Sequence, residues 1–355
     1  MNSESTRSDK FQQVADSKDL SQLVRSNTVH YWTTMKNDVD LRGLKPYLDS
    51  RGMLAGDPHA GNFAVLPLRA VDGSRKMRYV NVDFDDAGRG PFVLDFIRFV
   101  IASKATDSEI KRRPQEKAYI KGLSGKEVDP PKKVRDLLDM PVSQYDAMAT
   151  DYLHKRSSDR GFVFKEGEIQ PYTAKIDRTS IERVFPGVKV IDIGIRPLER
   201  GGSAGELRIW VLIEAADSTR RIMELKQYEE PATAKYQAQP APQQRLKEIR
   251  LAFWPGLDGS DYDLVGLRGG GLFWVREKRV SLIDVPYSSM EAKKLDFLDE
   301  LETYDANQLG LAHSRQPDAH RYHAQIKADP EAFHQATEPV EKAYLDIAKK
   351  AFGAK

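Results

Sequence analysis

The chain contains no cysteine. Disulfides, thiolate zinc sites, iron–sulfur clusters and cysteine nucleophiles are therefore excluded together. No run of about 18 apolar residues occurs, so no membrane span is predicted. The longest apolar stretch, residues 92–102, is interrupted by Asp95 and Arg98. An excess of charge of one sign is missing too. Lys plus Arg number 55 against 53 Asp plus Glu, a net charge of +2, so no strong basic field exists and no nucleic-acid partner is expected. The first ten residues, MNSESTRSDK, are polar and lack the apolar core of a signal peptide, so a cytoplasmic location is expected. What is present is a 355-residue chain, 40% hydrophobic and 30% charged. That profile suits a soluble globular protein of about two domains.

Residues 1–16 read as a loose polar start. A helix is predicted next, with Leu20, Leu23, Val24, Tyr31, Trp32 and Met35 on one face and Ser17 or Asp19 as its cap. A hairpin follows, residues 63–68 and 77–82, with its turn at Asp72-Gly73. Gly88, Gly90 and Pro91 then break the chain, and residues 92–104 read as a helix apolar nearly all round, hence buried. The basic stretch 111–135 reads as solvated surface, and residues 142–185 carry no clear pattern. From residue 188 the apolar period changes to two. Five strands are predicted, at 188–195, 207–213, 221–227, 262–267 and 272–276, with a short helix over 244–253. The tail is helical, with Leu295, Leu298 and Leu301 on one face and a final helix starting near Pro339.

The densest chemical signal is GDPHAGN, residues 56–62, followed by the acidic cluster Asp83-Phe84-Asp85-Asp86. Phosphoryl transfer needs a carboxylate to accept a hydroxyl proton and oxygen ligands for Mg²⁺. Asp57 and Asn62 have the D-x-x-x-x-N spacing of a base and a metal-binding amide. The hairpin returns Asp83 close to Asn62. Asn62, Asp83 and, in the same cluster, Asp85 are the candidate metal ligands.

GDPHAGNF with VDFDDAGRGPFVLDFIRF resembles the catalytic core of aminoglycoside-phosphotransferase-like and choline-kinase-like enzymes. More closely, it resembles the bacterial domain-of-unknown-function 2252 family. The likeness extends over residues 40–350 and takes in Phe273–Glu277 and Leu309–His313. It implies that Asp57 is the catalytic base, that Asn62 and Asp83 hold Mg²⁺, that His59 orders the catalytic loop and that Asp95 anchors its backbone. One departure stands out: many phosphotransferases carry His before Gly-Asp, and here that position is Ala55.

The middle of the chain supplies the parts of a nucleotide lobe. Gly201, Gly202, Ser203 and Gly205 form a hairpin tip whose N–H groups can cover phosphates. Lys226, on the third strand, can neutralise phosphate oxygens if a carboxylate fixes it; Glu248 is the candidate partner, with Glu229 and Glu230 behind it. The expected architecture is α+β: a two-lobed protein-kinase-like fold with a five-stranded antiparallel sheet lobe and a helical lobe. Because the catalytic motifs precede the sheet, the fold is expected to be circularly permuted. The helical lobe spans 17–185, the sheet lobe 186–280, and residues 281–355 complete the helical lobe. The expected function is transfer of the terminal phosphoryl group of ATP, with Mg²⁺, to an unknown hydroxyl-type acceptor. Two other readings compete. One is a metal-dependent phosphohydrolase with Asp57, His59, Asp83 and Asp85 around two metals. The other is a nucleotide-binding regulatory protein without turnover, which Ala55 favours.

Overall fold

Residues 20–37 carry the predicted apolar face but form two helices, α1 (Leu20–Ser26) and α2 (Thr28–Asn37). Asn27 makes the break. Its backbone leaves the helical region at ψ 50°, and its side-chain amide donates to the Leu23 carbonyl at 2.8 Å, competing with the helical ladder. The computed structural model describes residues 20–107, 109–198, 205–280, 282–283 and 292–353, so residues 1–16, Ser17 and Asp19 lie outside it.

A short helix α3 (Lys45–Leu48) leads into β1 (Arg51–Leu54). The predicted hairpin follows as β2 (Phe63–Arg69) and β3 (Arg75–Asn81). Gly88–Pro91 is not the expected break. It is a strand, β4, antiparallel to β1, with Gly52 opposite Gly90 and Leu54 opposite Gly88. The glycines suit it because the approach is close: a Cβ on Gly90 would lie 2.6 Å from the Leu54 side chain. Helix α4 (Phe92–Thr106) is buried as predicted, including Asp95 and Arg98.

The middle contains α5 (Arg112–Leu123), α6 (Lys132–Leu138), α7 (Val142–His154), the two-residue strands β5 (Ser157–Ser158), β6 (Gly161–Phe162) and β7 (Gln170–Pro171), and α8 (Arg178–Glu182). Then come the predicted strands: β8 (Lys189–Ile195), β9 (Arg208–Glu214), β10 (Arg220–Gln227), β11 (Tyr262–Leu267) and β12 (Gly271–Glu277), with α9 (Pro242–Phe253) before β11. The sheet has six strands, not five, in the order β11-β12-β10-β9-β8-β7, every neighbour antiparallel. The sixth, β7, is too short to show a periodic signal. The sheet also draws in chain well before residue 186. Phe162 and Ile169 pack with Trp210, Leu212 and Ile222 on one face, and Ile176, Ile181 and Phe185 pack with Ile209, Val211 and Phe273 on the other.

The tail is α10 (Ala292–Ser314), α11 (Ala319–Ala328) and α12 (Pro330–Phe352). Helix α12 starts nine residues earlier than expected and runs through Pro339. Asp329 caps it, accepting from the Ala332 N–H at 2.9 Å, and Pro330 takes the first turn. Tyr344 of α12 reaches His30 of α2 at 3.3 Å, and α1 also lies against α12, so the first two described helices touch the last. The basic stretch is not all solvated. Arg112 is buried between Glu116 and Glu341, at 2.6 and 2.9 Å. Helix α5 lies against α10 with backbones nearly touching: a Cβ on Gly310 would sit 2.3 Å from the Tyr119 carbonyl, and one on Gly122 would sit 2.3 Å from the Asn307 carbonyl.

That contact sets a test. Helix propensity alone favours Gly310→Ala by about 1 kcal/mol, whereas forcing the helices apart costs roughly 1–3 kcal/mol or more. We expect a lower urea midpoint; a raised one would mean that the helices separate at no cost.

Candidate functional site

The two sequence motifs form opposite sides of one frame. Residues 55–62 leave β1 and enter β2; residues 82–87 leave β3 and enter β4. Leu54 pairs with Gly88 at one end and Phe63 with Asn81 at the other. The Val82 N–H adds a bond to the Asn62 carbonyl at 2.8 Å. Gly56 completes the contact. Its φ of +79° suits glycine, and a Cβ there would lie 1.9 Å from the Asp86 carbonyl oxygen. The expected return of Asp83 to the neighbourhood of Asn62 is therefore what the hairpin does.

Helix α4 holds this frame from below. The fully buried Asp95 carboxylate accepts from the Ala55 N–H at 2.8 Å and the Gly56 N–H at 2.9 Å. This is the anchoring expected of it. His313 on α10 meets Asp95 Oδ2 through Nε2 at 3.1 Å, and its Nδ1 meets the Tyr119 hydroxyl at 2.8 Å. The Trp32 indole N–H donates to the Gly56 carbonyl at 2.8 Å. One turn further along α4, Arg98, also fully buried, donates to Asp57 Oδ1 through Nη2 at 2.6 Å and Nε at 3.1 Å. Sequence reasoning treated Arg98 only as an interruption of an apolar run. The signal available was its spacing: Asp95 and Arg98 are three apart and share one face.

Within the loop, the Asn62 side chain donates to the Asp57 carbonyl at 2.9 Å, closing the turn over residues 57–62. His59 Nδ1 accepts from the Gly61 N–H at 3.1 Å, which leaves the ring proton on Nε2, 3.7 Å from Asp57 Oδ2. Burial pushes the His59 pKa down to about 3, so the ring is neutral near pH 7. His59 thus orders the loop, and Asp57 has one carboxylate oxygen on Arg98 and the other facing His59.

The sheet closes the other side. Glu224 and Lys226 alternate with Met223 and Leu225 along β10, which puts both on one sheet face. Arg208 and Trp210 of β9 and Trp274 and Arg276 of β12 sit opposite them in register. Lys226 is buried and ion-paired to Asp85 Oδ2, with Glu206 3.3 Å away. This corrects the predicted partner: Glu248 instead binds Arg89, 2.6 Å away. Glu206 lies next to Gly205 at the base of the glycine-rich turn and was not singled out. Of that turn only Gly205 is described, with φ +76° and its N–H on the Leu198 carbonyl at 3.2 Å; Gly201, Gly202 and Ser203 lie outside the described residues.

Asp83 sits among cations. Burial pushes its carboxyl up, but Lys226, Arg276 and Arg208 together outweigh that and hold it below the usual carboxylate range. Its backbone N–H is fixed by Asn81 Oδ1 at 3.1 Å, and Arg276 donates to the Val82 carbonyl at 3.1 Å. Glu224 bridges Arg276 and Arg208, at 2.8 and 3.2 Å. Buried Arg245 of α9, also missed in the sequence, donates to the Ala87 and Asp85 carbonyls at 2.6 and 3.2 Å. Asp86 turns the other way and accepts from the Ala232 N–H at 2.7 Å, tying the cluster to the segment after β10.

Magnesium nucleotide fits this donor set in one respect. Asp83 Oδ1 is buried with no hydrogen-bond partner among the described residues, which leaves a carboxylate oxygen for a hard cation. No group of three His, Asp or Glu among the described residues is placed to hold a metal by itself, which gives the two-metal reading no support. Mg²⁺ commonly takes one or two carboxylates plus phosphate oxygens and water. No protein-family model matches the chain, and no curated protein or solved structure matches it either.

Two outcomes are expected. Asp95→Ala leaves two buried N–H groups without an acceptor, at roughly 1–3 kcal/mol each, so its unfolding free energy in urea should fall by about 3 kcal/mol. Asp95→Asn, which keeps one acceptor oxygen, should fall less; equal losses would mean that the loop does not need these bonds. The second concerns pH. His59 binds its proton near 6.5 when unfolded and only near 3 when folded, so the unfolded chain takes up protons between those values and stability drops as pH falls. His59→Gln should lose less stability than the wild type between pH 7 and 4. Parallel pH profiles would show that the ring does not stay neutral in the fold.

Proposed function

We propose that the chain is a Mg-ATP-dependent phosphotransferase with a two-lobed, kinase-like and circularly permuted architecture, acting on a hydroxyl-type acceptor. One observation carries this reading: buried Lys226 of the sheet is ion-paired to Asp85, two residues from Asp83, beside the loop that holds Asp57 and Asn62. A strand lysine, two metal-type oxygen donors and a carboxylate brought together are the parts phosphoryl transfer uses. The order of motifs and the contact of the first two described helices with the last support the permutation.

In this reading Asn62 and Asp83 hold the metal, and bound magnesium nucleotide supplies the phosphoryl group and neutralises charge developing on its oxygens. Lys226 shares its ammonium between Asp85 and phosphate oxygens. Asp57 orients the acceptor hydroxyl and takes its proton, while neutral His59 keeps the loop in shape. Arg98 fixes the Asp57 carboxylate in place. Most of the catalytic effect comes from positioning and charge neutralisation.

The grip of Arg98 on Asp57 Oδ1 favours a second reading, nucleotide binding without turnover. With Oδ1 occupied by the guanidinium, only Oδ2 is left to meet an acceptor hydroxyl. Calorimetric titration with ATP plus Mg²⁺, followed by an assay for ADP release, separates the two. We expect metal-dependent binding in the wild type and at least about tenfold weaker binding in both Asp83→Ala and Lys226→Ala, since each removes a charge-assisted contact. ADP release without matching free phosphate selects the transferase, ADP with an equal amount of free phosphate selects hydrolysis, and binding without turnover selects the regulatory reading. No binding by a folded wild type removes the nucleotide from both.

A further inference from the structure

A cavity of about 240 Å³ opens between the β2–β3 hairpin, the end of α9 and the second half of α10. The stacked rings of Phe63 and Tyr79 and the indole of Trp254 supply its apolar walls. Asn81 contributes a buried donor. The residue is 3% exposed, its Oδ1 is occupied by the Asp83 N–H, and its Nδ2 has no hydrogen-bond partner among the described residues. A buried amide N–H left unmade is costly unless something accepts from it. Two guanidinium groups stand at the exposed rim. Arg78 makes no ion pair among the described residues, and Arg315 donates to the Ala252 carbonyl at 3.2 Å and interacts at longer range with the Glu127 carboxylate. No Asp or Glu is among the described residues that line the cavity.

We infer that this cavity is a binding site for a small organic carboxylate with a flat apolar body. The donors select an acceptor-only head group: two cations and one neutral amide line the cavity, and a carboxylate near Arg315, Glu127, is already engaged by the Tyr304 hydroxyl and the Gln308 amide. The aromatic walls select a flat body over a bare ion. The site adjoins the candidate centre through Asn81 but does not depend on the nucleotide reading, because every group in it lies outside the proposed phosphate contacts.

The test uses benzoate, its neutral isostere benzamide, and acetate, each titrated into the full chain without nucleotide. Heat and the Trp254 indole N–H resonance are followed. Benzoate should bind at least about tenfold more tightly than benzamide or acetate and should move the Trp254 signal, as expected for a charge-assisted contact in an apolar site. Arg78→Met and Arg315→Met should each weaken benzoate by about fivefold or more; Arg78→Met, at an exposed position, should leave the thermal midpoint unchanged, and Arg315→Met should lower it only slightly through loss of its bond to the Ala252 carbonyl. Equal binding of benzamide, equal binding of acetate, or unchanged benzoate binding in the folded double variant would overturn the proposal. Absence of any benzoate binding by the wild type would also overturn it, whatever the nucleotide experiment shows.

Discussion

The candidate centre hangs on one buried carboxylate. Asp95 has no access to water, yet it is satisfied by two backbone N–H groups of the 55–62 loop and by the His313 ring. A loop of this kind has no regular ladder of its own, so its N–H groups need acceptors from elsewhere. Asp95 supplies them from a rigid helix, and Arg98 on the same face fixes the Asp57 side chain. One helix therefore sets both the path of the loop and the direction of its carboxylate. His313 extends the arrangement to α10 and, through Tyr119, to α5. The close approach of α5 and α10 at two glycines is what puts those partners within reach.

Charge complementarity joins the sheet to this centre. The sheet face that turns toward the hairpin carries Arg208, Lys226 and Arg276, with Glu224 between them, and the hairpin brings Asp83 and Asp85 to meet them. A chain with net charge of only +2 thus concentrates opposite charges at one internal boundary. Buried charges persist only when paired, so the cluster fixes how sheet and hairpin meet. The two cations of the separate cavity, Arg78 and Arg315, make no close ion pair among the described residues, and that contrast sets the cavity apart from the centre.

Much of the frame was legible in the sequence for a local reason. The period-two runs, the Asp-Gly turn and the all-apolar pattern of residues 92–104 depend on side chains that each element buries for itself. The hairpin return that brings Asp83 to Asn62 follows from strands of equal length. The misses have a common cause as well. Gly88–Pro91 read as a break because glycine is a poor strand former, and only its pairing with β1 makes it one. Arg112 read as solvated because a lone arginine carries no sign of the Glu116, Glu341 and Thr337 that surround it. Strand β7 was too short to register.

The sequence by itself determined the class of the fold, five of the six strands of its main sheet, and the two motifs that make the centre, since these rest on short-range periodicity and spacing. Tertiary structure alone decided the partners. Lys226 meets Asp85 and Glu206 rather than Glu248, Arg98 grips Asp57, and His313 reaches Asp95 across more than two hundred residues of chain. The physical reason is that a buried ion pair or hydrogen bond is chosen by which groups are desolvated together. That depends on how distant elements pack, and residue order does not record it.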